Sequence, residues 1–360
     1  MRAPATVIAV LVAVFVGSAT AEECSRPVVG AIRWDAWTGG SVTEQVERTL
    51  GPKKYHDRLP WFAEAIAGDR VRIDGSPQAV MDREIDFAAD SGLDYWAFLV
   101  YPQSSSMSVA LDQYLQSQKR GRINFCVILH NTLNAQAEQW PVERDRAVAL
   151  LKEPGYQTVL DGRPLVYAFK GGRLPFGRFL EFRHAAKEAG LDPYCVFMGW
   201  SPANDFERVS SKGFDAVSAY AKGGDQASFA ELVESVERDC WQNAAEASVP
   251  YVPFVTTGWD KRPRQDHPVS WEKGHGYHQQ KRFPSRATPG EIAEHLKGAI
   301  RFSEEHPKIC DANAVIIYAW NEHDEGGWLS PTLGTNGKPD ARRLEAVRRV
   351  LGVQADEDNL

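Results

Sequence analysis

Eight short runs rich in apolar, β-branched and aromatic residues recur along the chain, with helix-like patterns between them, and this alternation limits the fold more than any other feature. The runs are Val28 to Trp34, Tyr95 to Tyr101, Ile123 to His130, Leu165 to Phe169, Tyr194 to Gly199, Phe214 to Tyr220, Tyr251 to Thr256 and Ala314 to Trp320. Helical patterns cover Gln78 to Ser91, Ser108 to Lys119, Val142 to Leu151, Phe176 to Ala189, Asn204 to Ser211, Ser228 to Ala247 and Pro289 to Glu305, and a last one covers Asp340 to Leu351. Repeated strand–helix units imply a parallel sheet buried on both faces. Eight of them predict an α/β fold, the (β/α)8 TIM barrel. No compositional break marks a linker, so residues 22–360 read as one barrel domain. An open doubly wound sheet usually carries a glycine-rich phosphate turn after its first strand. Here that turn reads Ile32-Arg33-Trp34-Asp35-Ala36-Trp37, without the fingerprint.

Residues 1–21 read as a secretory signal peptide: Arg2, an apolar core from Val7 to Val16, then Ala19-Thr20-Ala21. Such a core is too short to span a bilayer, which takes roughly twenty residues. Ala21-Glu22-Glu23 before Cys24 do not fit a lipid-attachment signal, so the chain is expected to be secreted or periplasmic, with no membrane insertion after cleavage. A formal charge of −7 and the absence of basic clusters argue against nucleic acid as a partner. The five cysteines show no C-x-x-C or Cys/His spacing, and no metal is indicated. Sheet closure would make the first and last strands neighbours, and Cys24 and Cys310 each precede their strand by four residues. A Cys24–Cys310 disulfide is therefore expected, provided the Cα atoms come within about 7 Å. Cys126 and Cys195 fall inside strands and are expected to be buried thiols.

Two long connections, about Thr38 to Asp74 and Gly258 to Thr288, follow strands one and seven and so belong to the C-terminal face, where barrel substrates bind. The second, including His275-Gly276-Tyr277-His278, reads as a lid. The strongest local signal is the last strand running into Trp320-Asn321-Glu322-His323-Asp324-Glu325-Gly326-Gly327-Trp328. Two adjacent carboxylates resist ionising together, so one serves as acid while the other serves as base, a division that suits glycosidic cleavage. Glu322 and Glu325 are the catalytic candidates; Asn321, Trp320 and Trp328 flank them as an amide and as rings for a sugar platform. The 11 Trp, 11 Tyr and 16 Phe supply core packing or such platforms. Further candidates come from the other strand ends: Trp34, Tyr101, Asn131, Tyr220, Trp259 and Asp260, with Asp35, His130, Lys170 and Trp200 beside them and Tyr55-His56 in the first long connection.

Trp-Asn-Glu-x-x-Glu-Gly at Trp320 to Gly326 resembles the signature of the glycoside hydrolase family 99-like proteins, which include endo-α-mannosidases and WbsX-type proteins. Met81 to Ala88 with Gly92-Leu93-Asp94, Val100-Tyr101-Pro102 and Gly258 to Arg264 are similar to the WbsX-like branch. The resemblance implies a retaining hydrolase acting on an α-mannoside-like glycan or polysaccharide, without metal or organic cofactor. Glu322 would draw the proton from the sugar 2-hydroxyl to form a 1,2-anhydro sugar, and Glu325 would protonate the leaving group. The chain departs from the pattern at His323, where the family has an aromatic residue, and at Ser330, where WbsX-like members carry an acid. The other readings are a polysaccharide-assembling glycosyltransferase, against which export argues, and a non-catalytic carbohydrate-binding barrel.

Overall fold

The computed structural model describes residues 26–169, 174–272, 279–334 and 337–352. The signal-peptide segment, Cys24, Lys170 and the stretch His275 to His278 lie outside the described residues. The barrel strands are β1 (Val28–Arg33), β2 (Tyr95–Val100), β3 (Asn124–Leu129), β4 (Arg163–Phe169), β5 (Tyr194–Gly199), β6 (Ala216–Ala219), β7 (Phe254–Thr256) and β8 (Ala314–Tyr318). They run parallel in the order β7-β8-β1-β2-β3-β4-β5-β6. The gap between β6 and β7 is bridged at Val217 and Tyr251, where Val217 N donates to Pro250 O and Val252 N donates to Val217 O, each at 3.0 Å. The sheet thus closes into a (β/α)8 barrel. The last two strands to meet are shorter than their apolar runs, and for β7 Pro250 and Pro253 supply the reason: proline has no N–H for a ladder.

The helices follow the sequence pattern closely, from Gln78–Asp90 after the first strand to Pro289–Glu305 before the last. The latter starts with a capping box between Thr288 and Glu291. Ser228 to Ala247 is not one α-helix: Phe229–Val236 passes into a π turn, Glu237–Gln242, before Asn243–Ala247. Both long connections carry structure that the pattern did not announce. The first holds helix Gly40–Leu50 and the hairpin Glu64–Ala67/Arg70–Arg72; the second holds helix Arg262–Asp266. Among the described residues no helix is long and apolar enough to cross a membrane.

Between sheet and helices the core is packed with rings. Phe179 is fully buried and stacks on Phe214 at 4.0 Å between centroids. Phe179→Ala is expected to cost about 3–5 kcal/mol through the cavity it leaves, read as a lower urea midpoint at unchanged slope. Cys126, Cys195 and Cys240 are buried free thiols, and Cys310 is buried as well. Val28 pairs with Ala314, so β1 and β8 are neighbours as expected. The proposed Cys24–Cys310 bond falls partly outside the described residues; a free Cys24 in non-reducing peptide maps of the exported protein would refute it.

Candidate active site

Beyond β8 the chain makes a tight turn. Asn321 and Glu322 pair antiparallel with Trp328 and Gly327, enclosing His323–Glu325, and Gly326 closes the turn in the left-handed region at φ 84°. This turn presses against the chain leaving β7. Asp260 N donates to Glu325 O at 2.7 Å, and a Cβ on Gly258 would run into the carbonyl of Gly326. Trp320 N donates to Ile32 O, and Asn321 Oδ1 accepts from Trp34 N, at 2.7 and 2.8 Å. The acidic turn is therefore fixed to both neighbouring strands.

Both glutamates point inward. Glu322 is 2% exposed and Glu325 6%. Glu322 Oε1 accepts from the Tyr220 hydroxyl at 2.6 Å; among the described residues Oε2 has no hydrogen-bond partner, and Arg264 Nη2 is 3.6 Å from it. Glu325 Oε1 receives Arg264 Nη1 and, at 2.9 Å, Lys261 Nζ, while Oε2 receives the Tyr318 hydroxyl. Arg264 also grips Asp324 through Nε and Nη2, at 2.6 and 2.9 Å, and Glu272 through Nη1 at 2.8 Å. Its guanidinium lies 5.0 Å from the Trp34 ring centre. Burial, reinforced by the charge of Glu325, pushes the Glu322 carboxyl well above the usual range. Burial likewise raises Tyr220 and Tyr318 well above the usual phenol range. Among the described residues no group of three or more His, Cys, Asp or Glu is arranged to hold a metal ion.

Aromatic rings run around the mouth from strand end to strand end. Trp34 Nε1 donates to the Tyr101 hydroxyl at 2.8 Å; Tyr101 contacts His130, His130 stacks on Phe169, and Phe169 stacks on Tyr220 at 4.2 Å. Tyr220 then meets Tyr318, and Tyr318 meets Trp259, both at 5.8 Å. Trp200, beside Phe169, is 48% exposed. Next to Trp259 a groove of about 440 Å³ opens, lined by Gly223, Asp225, Gln279 and Lys281 among others.

Of the expected site residues, Glu322, Glu325, Tyr220, Trp34, Tyr101 and Trp259 belong to this assembly. Three others act from behind it. Asn321 holds the Trp34 backbone and donates to Asp35 at 3.1 Å. Asp35, raised to about 6 chiefly by burial, also takes Arg33 Nε at 2.8 Å. Asp260 is tied up by Arg58 and Arg262, which anchors the loop after β7. Two platform expectations need correcting. Trp320 is fully buried, 5.1 Å from Trp96, with Nε1 donating to Glu84 of helix Gln78–Asp90, so it packs into the helix layer. Trp328 is sandwiched between His323 and the Arg343 guanidinium and is 3% exposed. Asn131 is exposed on the turn Asn131–Asn134. Tyr55 donates to Asp266 at 2.6 Å, and His56 Nε2 lies 2.7 Å from Gly51 O, so both serve the first long connection. Sequence reasoning missed Arg264, Lys261, Glu272 and Tyr318 as site residues, although Lys261 and Arg264 lie in the family-like segment Gly258 to Arg264.

The two departures from the family pattern meet each other. His323 Nε2 accepts from Ser330 Oγ at 2.8 Å while Nδ1 donates to Arg58 O. His323 is a buried structural residue, its imidazole pushed down to about 3, mainly by burial. The unfolded chain therefore binds more protons between pH 6.5 and about 3, and folding stability is lost as pH falls through that window. This contribution amounts to roughly 3 kcal/mol by pH 4. Urea midpoints followed from pH 7 to pH 4 should fall less steeply in His323→Gln than in the native chain.

No family model matches this chain, and no curated protein matches it. Solved structures do. A GH99 endo-α-mannosidase from Bacteroides thetaiotaomicron, in complex with Bis-Tris-propane, aligns at TM-score 0.55 and 11% identity, covering 91% of this chain and 97% of that one. Another structure of that enzyme aligns at TM-score 0.55 and 10% identity, covering 90% and 96%. A family 39 glycoside hydrolase from Bacteroides cellulosilyticus aligns at TM-score 0.45 and 10% identity, covering 91% and 64%. At these identities the two alignments at 0.55 show a shared barrel fold.

Proposed function

We propose that this chain is a glycoside hydrolase, acting on an α-mannoside-like glycan or related polysaccharide, with Glu322 and Glu325 as its acid–base pair. One observation carries the reading: two interacting carboxyl groups, differently partnered, sit buried at the C-terminal mouth of a barrel whose rim is a chain of aromatic rings. Glycosidic cleavage needs one group to protonate the departing oxygen and another to relieve the attacking hydroxyl of its proton. A buried pair in which Glu322 is held well above the usual carboxyl range beside a differently partnered Glu325 fits that need. The likeness in fold to an endo-α-mannosidase supports the substrate class. Retention through a 1,2-anhydro sugar is the course that the sequence resemblance implies. Export after cleavage behind Ala21 would place the enzyme with extracellular glycans, and N-terminal sequencing of the exported protein beginning at Glu22 would support it.

Screening the purified protein against α-mannans and bacterial surface polysaccharides for released reducing ends tests the activity; no release from any of them would refute it. On this reading the exposed Trp200 ring is a platform for a sugar away from the scissile bond. Trp200→Ala should raise KM for a long oligosaccharide by about threefold to tenfold, the scale of one lost ring contact, with kcat unchanged.

A further inference from the structure

The two residues before Glu322 both end on buried acids. The Trp320 indole donates through Nε1 to Glu84 Oε1 at 3.2 Å, and the Asn321 amide donates through Nδ2 to Asp35 Oδ1 at 3.1 Å. The two carboxylates come from different elements, Glu84 from helix Gln78–Asp90 and Asp35 from the turn after β1. One cation joins them. Arg33, the last residue of β1, donates through Nε to Asp35 Oδ1 at 2.8 Å and through Nη2 to Glu84 Oε2 at 2.5 Å. Its guanidinium lies 4.5 Å from the Trp96 ring centre, and Trp96 packs in turn against Trp320. Arg33, Asp35 and Glu84 are 3%, 5% and 3% exposed, too little for any of them to serve as a sugar platform.

On the reading of Glu322 as one of the acid–base pair, we propose that Arg33, Asp35 and Glu84 are positioning residues, which grip the side chains of Trp320 and Asn321 and so set the glutamate that follows. Both ends of the Asn321 amide are engaged: Oδ1 accepts from Trp34 N at 2.8 Å while Nδ2 reaches Asp35. Turning the amide over would break two buried hydrogen bonds at once. The backbone repeats the tie, since Trp320 N donates to Ile32 O at 2.7 Å. On the mouth side the Tyr220 hydroxyl meets Glu322 Oε1 at 2.6 Å. The Glu322 carboxyl is thus held from behind by the triad and from the front by a phenol.

Stability alone is a poor reason to bury such a triad, because the cost of desolvating the ions offsets much of their attraction. What an arginine fork adds is direction. Its donors stand at fixed angles, and here they orient two carboxylates, one for each side chain that precedes Glu322. Direction matters where a reacting group must be held to within about half an ångström. A misplacement of about 1 Å, even from a change remote from the chemistry, can cost about a hundredfold in rate.

Arg33→Lys keeps the charge but lacks the fork that spans both acids. It should lower kcat on a cleaved α-mannan oligosaccharide by about tenfold to a hundredfold and leave KM within about twofold of native. Phe179→Ala is the control for lost stability, since its ring packs on Phe214 in the helix layer, and it should keep the native kcat under conditions where it stays folded. A native kcat in Arg33→Lys, or an equal fall in Phe179→Ala, would reduce the triad to a support of the fold and overturn the proposal. A crystal structure of Arg33→Lys needs no turnover: the Glu322 carboxyl should move off the Tyr220 hydroxyl by about 1 Å within an intact barrel. An unmoved carboxyl would overturn the proposal as well. Should Arg33→Lys not fold, Glu84→Gln, which keeps the shape and removes the charge facing Arg33, takes its place in both measurements with the same expected results. Should the native protein cleave no glycan, the hydrolase reading fails, while the crystal structure still decides whether the triad places Glu322.

Discussion

Glu322→Gln and Glu325→Gln should each lower turnover on a cleaved glycan by at least about a hundredfold, the scale on which general acid or base catalysis operates. Their effects on stability separate. Glu322 is buried, with its carboxyl held toward the protonated form, so a glutamine of the same shape substitutes one neutral group for another and should leave the unfolding midpoint nearly unchanged. Glu325 sits against Arg264 and Lys261, and its glutamine variant leaves two buried cations short of one anion. That variant should therefore lose stability as well as turnover. Equal unfolding midpoints for the two variants, measured in urea at neutral pH, would contradict this division.

Arg264→Leu should be the most destabilising single change at the site, at about 3–5 kcal/mol, because removing one partner of a buried ion pair strands the other. Here three carboxylates, Asp324, Glu325 and Glu272, lose their common cation at once. A urea midpoint that is unmoved at neutral pH would show that Arg264 does not hold the cluster.

Much of the architecture was legible because strand and helix periodicities differ and because an eight-fold alternation admits few folds. The boundaries of β5 and of helix Pro289–Glu305 agree with their apolar patterns to the residue. Helix Gly40–Leu50 was hidden behind Gly39 and Gly40, both with positive φ, a pair that reads as loop. At the site, Glu322 and Glu325 announced themselves through a strand ending in acids. Arg264 did not, because its importance comes from contacts with residues about sixty positions away, Asp324 and Glu325, that only barrel closure creates. Trp320 and Trp328 misled for the converse reason: proximity in sequence to the acids says nothing about which layer a ring enters, and both rings are used for packing. The pairing of His323 with Ser330 shows why single departures from a family pattern are poorly judged alone, since each supplies the other's hydrogen-bond partner.

The central claim, that these two glutamates cut a glycosidic bond, is tested most directly by proton NMR of the anomeric region during incubation of α-mannan oligosaccharides with the native protein and with each glutamine variant. The account predicts new reducing-end signals that appear first in the α configuration with the native protein and at least about a hundredfold more slowly with either variant. Signals growing equally fast in all three samples would contradict it.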